Sequence, residues 1–384
     1  MKLIFASDSF KGTLSSEKTI ELSTKAAKGV FGECECTGVM VADGGEGTTD
    51  AVIKAAGGKM VSVQVHGPLM EERTAYFGEI NQKCAIIEMA AASGLPFVPV
   101  QQRDPRKTTS YGTGELIRAA LERGYTDISV AIGGSATNDG GMGCMKALGM
   151  RFLDEAGNEL DGIGENLIKV AHIDASGLHP RIRETKFTVM CDVTNPLCGK
   201  DGATYTFGPQ KGGTPESLEV LERGMYNYRD VIVREFGVNP DEMPGSGAAG
   251  GLGAAFMVFL GAVPKSGIET VLDLIDFDGY LEGASLVVTG EGRTDWQSCF
   301  GKVVQGVGKR CKKAGVPAIA LVGSMGDGAE QIFEYGIDSM LTTVNAVEDL
   351  ETVLAKAEEL YYGGAVRMFR MVKVGMDMAE KTVG

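Results

Sequence analysis

ISVAIGGSATNDGGMGCMKALG, residues 128–149, decides how this chain is read. Its opening ISVAI is apolar and rich in β-branched side chains, too short for a helix and bounded by glycine, which predicts a buried strand of a parallel sheet. The chain then opens into glycines. Gly133, Gly134, Gly140, Gly141 and Gly143 permit tight turns and close backbone approach, and Asn138 or Asp139 is placed to cap a helix through Met142, Met145 and Leu148 to Gly149. A strand, a bare loop and a helix N-terminus in this order direct unpaired N–H groups and a positive dipole end at the loop, a setting suited to phosphate or carboxylate. An ordinary βα turn has the same spacing, and the pattern is neither G-x-G-x-x-G nor a Walker A sequence, so its ligand stays open at this level.

The same succession recurs on both sides. Residues 2–6 predict a strand, 7–13 a loop holding Asp8 and Lys11, and Ser15 or Ser16 the cap of a helix to about Val30. Residues 39–42 predict a second strand, Asp43-Gly44-Gly45-Glu46-Gly47 a second bare loop, and Thr48 or Thr49 the start of a helix ending at Gly57-Gly58. Residues 60–65, 74–79 and 84–89 are short alternating runs separated by Gly67-Pro68 and Asn81-Gln82, which predicts an antiparallel meander in an inserted layer. Helical spacing returns at Leu116, Ile117, Ala120 and Leu121 before Gly124. Further on, residues 286–289 lead into Gly290-Glu291-Gly292-Arg293-Thr294-Asp295 and a helix from about 301 to 314, and residues 318–322 lead into a loop from Gly323.

Strands alternating with helices imply an α/β fold with a parallel sheet and helices on both faces. Its loops share one edge, so Asp8, Asp43, Gly133, Glu291 and Gly323 are expected together at the carboxyl edge, where open α/β sheets bind ligands. The expected division is a parallel-sheet domain of residues 1–59, 105–150 and 280–384, with an inserted mixed α/β domain of residues 60–104 and 151–279.

The chain has 384 residues, 43% of them hydrophobic, enough to fill two domain cores. A formal net charge of -14 with no basic block argues against a nucleic-acid or anionic-membrane partner, and an anionic substrate must be caught by local cations. Residues 3–6 are too few for a signal-peptide core, and no later run is apolar enough to span a bilayer, so a cytoplasmic protein is expected. The eight cysteines include no CxxC pair and the three histidines stand apart, so reduced thiols are expected and no zinc site.

Asp43 and Glu46 sit among glycines that leave them uncovered, which suits Mg2+, an ion satisfied by one or two carboxylates, waters and substrate phosphate oxygens. The other reading of Asp43 is a cap or turn residue. Lys11 and Arg293 are loop cations able to hold phosphate, Arg293 being better shaped for a carboxylate because its fork bonds bidentately; a surface ion pair is the alternative. Asp192 and Asn195 follow an extended run at 186–191, and Pro196 turns the chain out of the sheet. Asp192 there orients a metal, accepts a proton or forms the turn. Lys211 lies in a glycine-flanked turn and either closes over a ligand or decorates the surface. The small residues at 244–253 either cradle phosphate or allow close packing.

With these segments read, the chain resembles the type 1 glycerate kinase family. The resemblance runs over nearly its whole length: SDSFKGTLS from Ser7, VADGGEGTTD from Val41, GGSATNDGGMG from Gly133, CDVTNPLCG from Cys191, FGPQKG from Phe207, PGSGAAGGLG from Pro244 and TGEGRTDWQSCFGK from Thr289. It implies an ATP- and Mg2+-dependent kinase acting on glycerate, with a Rossmann-like α/β domain interrupted by a second α/β domain and a cleft between them. The family lacks a Walker A loop, and here Gly301-Lys302 is followed by Val303, where that loop needs Ser or Thr.

Within that frame the chemistry of the side chains suggests roles. Gly44, Gly45, Gly133, Gly134, Ser135 and Asn138 are expected around the ATP phosphates, with Asp43 and Glu46 on the metal. Arg293, Lys211, Asp8 and Asn195 are expected on glycerate, with Asp192, Asp295 and Lys11 in catalysis. The 2-hydroxyl is favoured over the 3-hydroxyl as acceptor, and the oligomeric state is left open. Two other classes remain distinguishable. A dehydrogenase is disfavoured because no strand leads into G-x-G-x-x-G with an acidic residue about 20 positions on. A non-catalytic sensor is disfavoured because Asp8, Asp43, Glu46, Asp192, Glu291 and Asp295 repel an anion unless a metal or proton intervenes.

Overall fold

The computed structural model of the chain describes residues 1–10, 12–45 and 47–383. In chain order, the strands of its two main sheets are β1 (Lys2–Phe5), β2 (Glu35–Gly38), β3 (Lys59–His66), β4 (Glu72–Glu79), β5 (Cys84–Glu88), β6 (Asp127–Ala131), β7 (Lys186–Met190), β8 (Val263–Lys265), β9 (Leu286–Thr289), β10 (Ala318–Val322) and β11 (Ser339–Thr342). The chain divides into two compact units, one of residues 1–43, 54–56 and 271–384, the other of residues 44–53 and 57–270.

The first unit holds a five-stranded sheet in the order β11-β10-β9-β1-β2, parallel throughout. Its central strands KLIF and LVVT are almost wholly buried, as expected for strands covered on both faces. The helix Ser16–Phe31 begins where the Ser15 hydroxyl accepts from the Lys18 N–H at 3.2 Å, and ends at Gly32. Thr19, Leu22, Ser23, Ala26 and Ala27 form its buried stripe at helical spacing. That stripe packs with Phe5, Tyr361 and Phe369 into the unit's core. The chain order runs outward from β1 in one direction to β2 and in the other through β9 to β11, so the topological switch point lies between β1 and β9.

The second unit holds a six-stranded mixed sheet in the order β8-β7-β6-β5-β4-β3. β5 to β8 are parallel, while β3 and β4 extend the sheet antiparallel from β5. Ile128 faces Ala85 on one side and Phe187 on the other, so β6 is a central strand with buried neighbours, as its composition predicts.

Three expectations change. Residues 105–150 were assigned to the sheet of the first unit, but β6 and the helices around it belong to the second. A short β-branched run fits the middle of any parallel sheet, and nothing local in it names its neighbours. The meander 60–89 is the edge of this same sheet and no separate layer. The second strand of the first unit is Glu35–Gly38, ahead of the apolar run 39–42. Val39 makes the last contact of this pairing, its N–H donating to the Phe5 carbonyl at 2.8 Å, and Val41 is buried beyond it, so the hydrophobicity of the run marks burial more than ladder length.

Candidate active site

At the switch point, Asp8 follows β1 and Glu291 follows β9, and the Asp8 N–H donates to the Gly290 carbonyl at 2.9 Å. A side chain at Gly290 would place its Cβ 2.0 Å from the Leu321 carbonyl oxygen, so only glycine lets the two strand ends leave the sheet here. A cavity of about 670 Å³ opens at this edge. Asp8, Asp43, Glu291, Arg293, Asp295 and Lys302 line its polar part; Phe10, Leu14, Leu350, Val353, Leu354 and Leu360 line an apolar part.

Glu291 is buried, and burial pushes its carboxyl above the usual value. The Thr294 hydroxyl donates to its Oε1 at 2.8 Å, and Lys302 Nζ stands 3.9 Å from Oε2. Arg293 Nε lies 3.6 Å from Asp295 Oδ2 with most of the guanidinium in solvent. Asp295 caps the turn Trp296–Cys299 by accepting from the Gln297 N–H at 3.0 Å. It therefore has a structural task besides any catalytic one.

The second unit has its own pocket of about 260 Å³, lined by Gly44, Gly45, Gly133, Gly134, Glu88, Ala90, Ala91, Pro96, Phe97 and Ala131. The glycines expected around phosphate are thus brought together. Both helix N-termini they precede carry a carboxylate of the protein itself. Glu88 at the end of β5 accepts from the Thr49 N–H at 2.5 Å and the Gly47 N–H at 3.3 Å, at the start of the helix Thr48–Ala56. Asp139, fully buried, accepts from the Gly141 N–H at 3.1 Å and the Gly143 N–H at 3.2 Å, at the start of the helix Met142–Ala147. The Ser110 N–H and hydroxyl also donate to Asp139, at 2.8 and 2.7 Å. Burial pushes the Asp139 carboxyl up, and these donors pull it down.

Asn138 is buried, its Nδ2 donating to the Thr204 hydroxyl at 3.3 Å. Lys211, expected to close over a ligand or to lie on the surface, is buried as well. Its Nζ donates to Ser135 Oγ at 2.8 Å and to the Thr137 carbonyl at 2.7 Å, tying down the loop after β6. The stretch 244–253 packs against that loop: a Cβ on Gly250 would sit 2.1 Å from the Thr137 carbonyl oxygen, so its small residues serve close packing. Asp192 follows β7 and accepts from the Gly267 N–H at 3.2 and 3.3 Å. Asn195 donates to the Asp201 carbonyl at 2.8 Å. Lys11 and Glu46 lie outside the described residues.

Two residues escaped the sequence reading. Glu88 ends a strand taken as antiparallel, so its carboxyl end was not counted with the others; β5 pairs antiparallel with β4 but parallel with β6. Lys302 was weighed only as part of a failed Walker A pattern, although a cation just before a helix that follows a glycine loop is a signal of its own.

Burial lowers the Lys211 amine to about 7, with the Asp139 carboxylate opposing the shift. A neutral amine has two N–H donors, matching the two acceptors present. From about pH 7 up to the unfolded lysine pKa of about 10.4 the unfolded chain binds the extra proton, so this group makes folding more favourable as pH rises through that window. The melting temperature of the wild type minus that of Lys211→Met should therefore rise between pH 7 and 9; a flat difference would refute the lowered amine.

Parallel strands with a nucleotide-sized cavity at a switch point make this an α/β enzyme of the kind that binds cofactors and phosphorylated ligands at strand ends. A model of the glycerate kinase family matches residues 3–373. The chain is 42% identical over 385 residues to the glycerate 2-kinase of Escherichia coli (strain K12), covering 100% of both proteins. It is 44% identical over 360 residues to the glycerate kinase of Bacillus subtilis (strain 168), covering 94% of each. A crystal structure assigned to glycerate kinase 2 from Salmonella typhimurium LT2 superposes with a TM-score of 0.88 at 42% identity, over 98% of this chain and 99% of that one. The chain belongs to the glycerate kinase family. It is an enzyme, a kinase that phosphorylates glycerate with ATP as co-substrate.

Proposed function

We propose that the enzyme transfers the γ-phosphoryl group of ATP to the 2-hydroxyl of glycerate, with Mg2+ and with Asp8, Asp43, Arg293 and Lys302 serving the transfer. The observation that carries this reading is the polar end of the switch-point cavity, where carboxylates and cations converge. No cluster of three or more His, Cys, Asp or Glu able to hold a metal occurs among the described residues. Mg2+ does not need one. It keeps several waters and takes one or two carboxylates plus phosphate oxygens, so Asp43, with Asp8 lining the same cavity, is a fitting donor set. When bound, the ion neutralises charge on the phosphates. Lys302 supplies a point charge for phosphate, and the Arg293 fork suits the glycerate carboxylate.

Asp192 is the carboxylate assigned to orient the acceptor hydroxyl and take its proton late. Ser135, Asn138 and Lys211 hold the loop after β6 in shape. The 2-hydroxyl is supported by the name of the Escherichia coli relative, glycerate 2-kinase. The cysteines are free, which agrees with the reducing cytoplasm as the working compartment. No described helix is long and apolar enough to cross a membrane.

Incubation with ATP, Mg2+ and D-glycerate should release ADP, and phosphorus NMR of the product should show phosphate on C2. Absence of ADP would sink the whole reading; phosphate on C3 would sink only the position. Arg293→Lys keeps charge and loses the fork, so KM for glycerate should rise roughly tenfold with KM for ATP little changed. Equal rises in both would assign Arg293 to phosphate instead.

A further inference from the structure

We propose that the apolar part of the switch-point cavity, formed by Phe10, Leu14, Val353, Leu354 and Leu360, is the seat of the adenine base of ATP. The inference rests on the phosphoryl-transfer reading above. The cavity is about 670 Å³, the size of sites that hold nucleotide-like ligands and far larger than a three-carbon acid needs. Glycerate carries a carboxylate and hydroxyls and gains nothing from an apolar floor. The flat base is the one part of either substrate that does.

Phe10, Leu14 and Leu360 are buried and form the floor. Leu350 and Leu354, four residues apart on the short helix Leu350–Ala355, are 71% and 47% exposed although both line the cavity. Apolar side chains held toward an open cavity are what a stacked ring covers. Charge sets the direction of the nucleotide. Lys302, proposed for phosphate, and Asp8 and Asp43, the carboxylates proposed for Mg2+, stand with the strand-end loops, whereas Glu348 on the helical side is paired with Lys356 at 2.9 Å. A triphosphate is therefore favoured at the strand ends, with the base toward Leu354.

Leu354→Glu tests this. The position is half in solvent and glutamate is a good helix former, so the fold should stand. The dissociation constant for ADP, measured by calorimetry, should rise about tenfold or more. Inhibition by inorganic tripolyphosphate, which has the charge without the base, should change by less than about twofold, as should KM for glycerate. An unchanged ADP constant overturns the seat. Equal weakening of ADP and tripolyphosphate overturns it in favour of a phosphate site, and a change in molecular mass with ADP binding intact shows that a second copy of the chain covers these leucines instead. Should Leu354→Glu lower the melting temperature, the uncharged Leu354→Gln is read by the same criteria. A wild type that binds ADP but makes no phosphoglycerate removes the phosphoryl-transfer reading and leaves the nucleotide seat standing.

Discussion

Asp192→Asn should lower turnover by roughly 10²- to 10⁴-fold at saturating ATP and glycerate. The carboxylate lies at the carboxyl end of β7 and accepts from the Gly267 N–H at 3.2 and 3.3 Å, where the helix Gly267–Leu274 begins. One N–H is shared between the two carboxylate oxygens, and Asn retains an oxygen to accept the same proton. The substitution removes the acceptor for the substrate proton while keeping volume and cap. Melting temperature and ADP affinity should stay close to wild type. Phosphoryl transfer depends on positioning and charge neutralisation more than on a strong base, which sets the lower bound of the loss. A variant retaining more than about a tenth of wild-type turnover eliminates Asp192 as the base, and Asp295→Asn is then the next variant to measure.

Asp139→Ala should cost roughly 3–5 kcal/mol of unfolding free energy in urea titrations. Asp139 Oδ2 takes the Ser110 N–H, the Ser110 hydroxyl and the Gly143 N–H, and Oδ1 takes the Gly141 N–H. Each donor orphaned in the interior costs about 1–3 kcal/mol, and relaxation recovers part of the sum. The Ser110 hydroxyl in turn accepts from the Cys144 N–H at 2.9 Å, so the carboxylate joins the start of the helix Tyr111–Arg123 to that of the helix Met142–Ala147. Asp139→Asn keeps the shape and one acceptor oxygen, but turns an amide toward one of the donors; it should fall between alanine and wild type. A loss under about 1 kcal/mol for Asp139→Ala would mean that water or rearranged backbone replaces the carboxylate, and that the residue does not pin these helices.

The positions of strand ends and bare loops were legible because they rest on local physics. A buried β-branched run, glycines where the backbone must turn, and a Ser, Thr or Asp before a helical stripe each act within a few residues. In this way Asp8, Glu291 and Arg293 are placed just past strand ends, whereas the strand expected directly before Asp43 ends earlier, at Gly38; of the two cap candidates Asn138 and Asp139, it is Asp139 that takes the Gly141 and Gly143 N–H groups. Glu88 was missed because its strand has one neighbour running against it and one running with it, and that arrangement is written in distant parts of the chain. The glycine-flanked turn of Lys211 suggests a side chain that closes over a ligand or lies on the surface. Its burial depends on two acceptors more than seventy residues away in sequence, Ser135 and Thr137.

By itself the sequence determined an α/β protein with carboxylates and cations on its strand-end loops, and its long ordered motifs carried the resemblance to glycerate kinases. Tertiary structure alone decided that the strand 127–131 pairs with β5 and β7, that the switch point falls between β1 and β9, and that leucines from residues 350–360 meet Phe10 and Leu14 around one cavity. Strand identity follows from side chains within a few residues, whereas the choice of neighbour depends on the total burial that each pairing achieves. That quantity belongs to the whole fold, and no single stretch of the chain contains it.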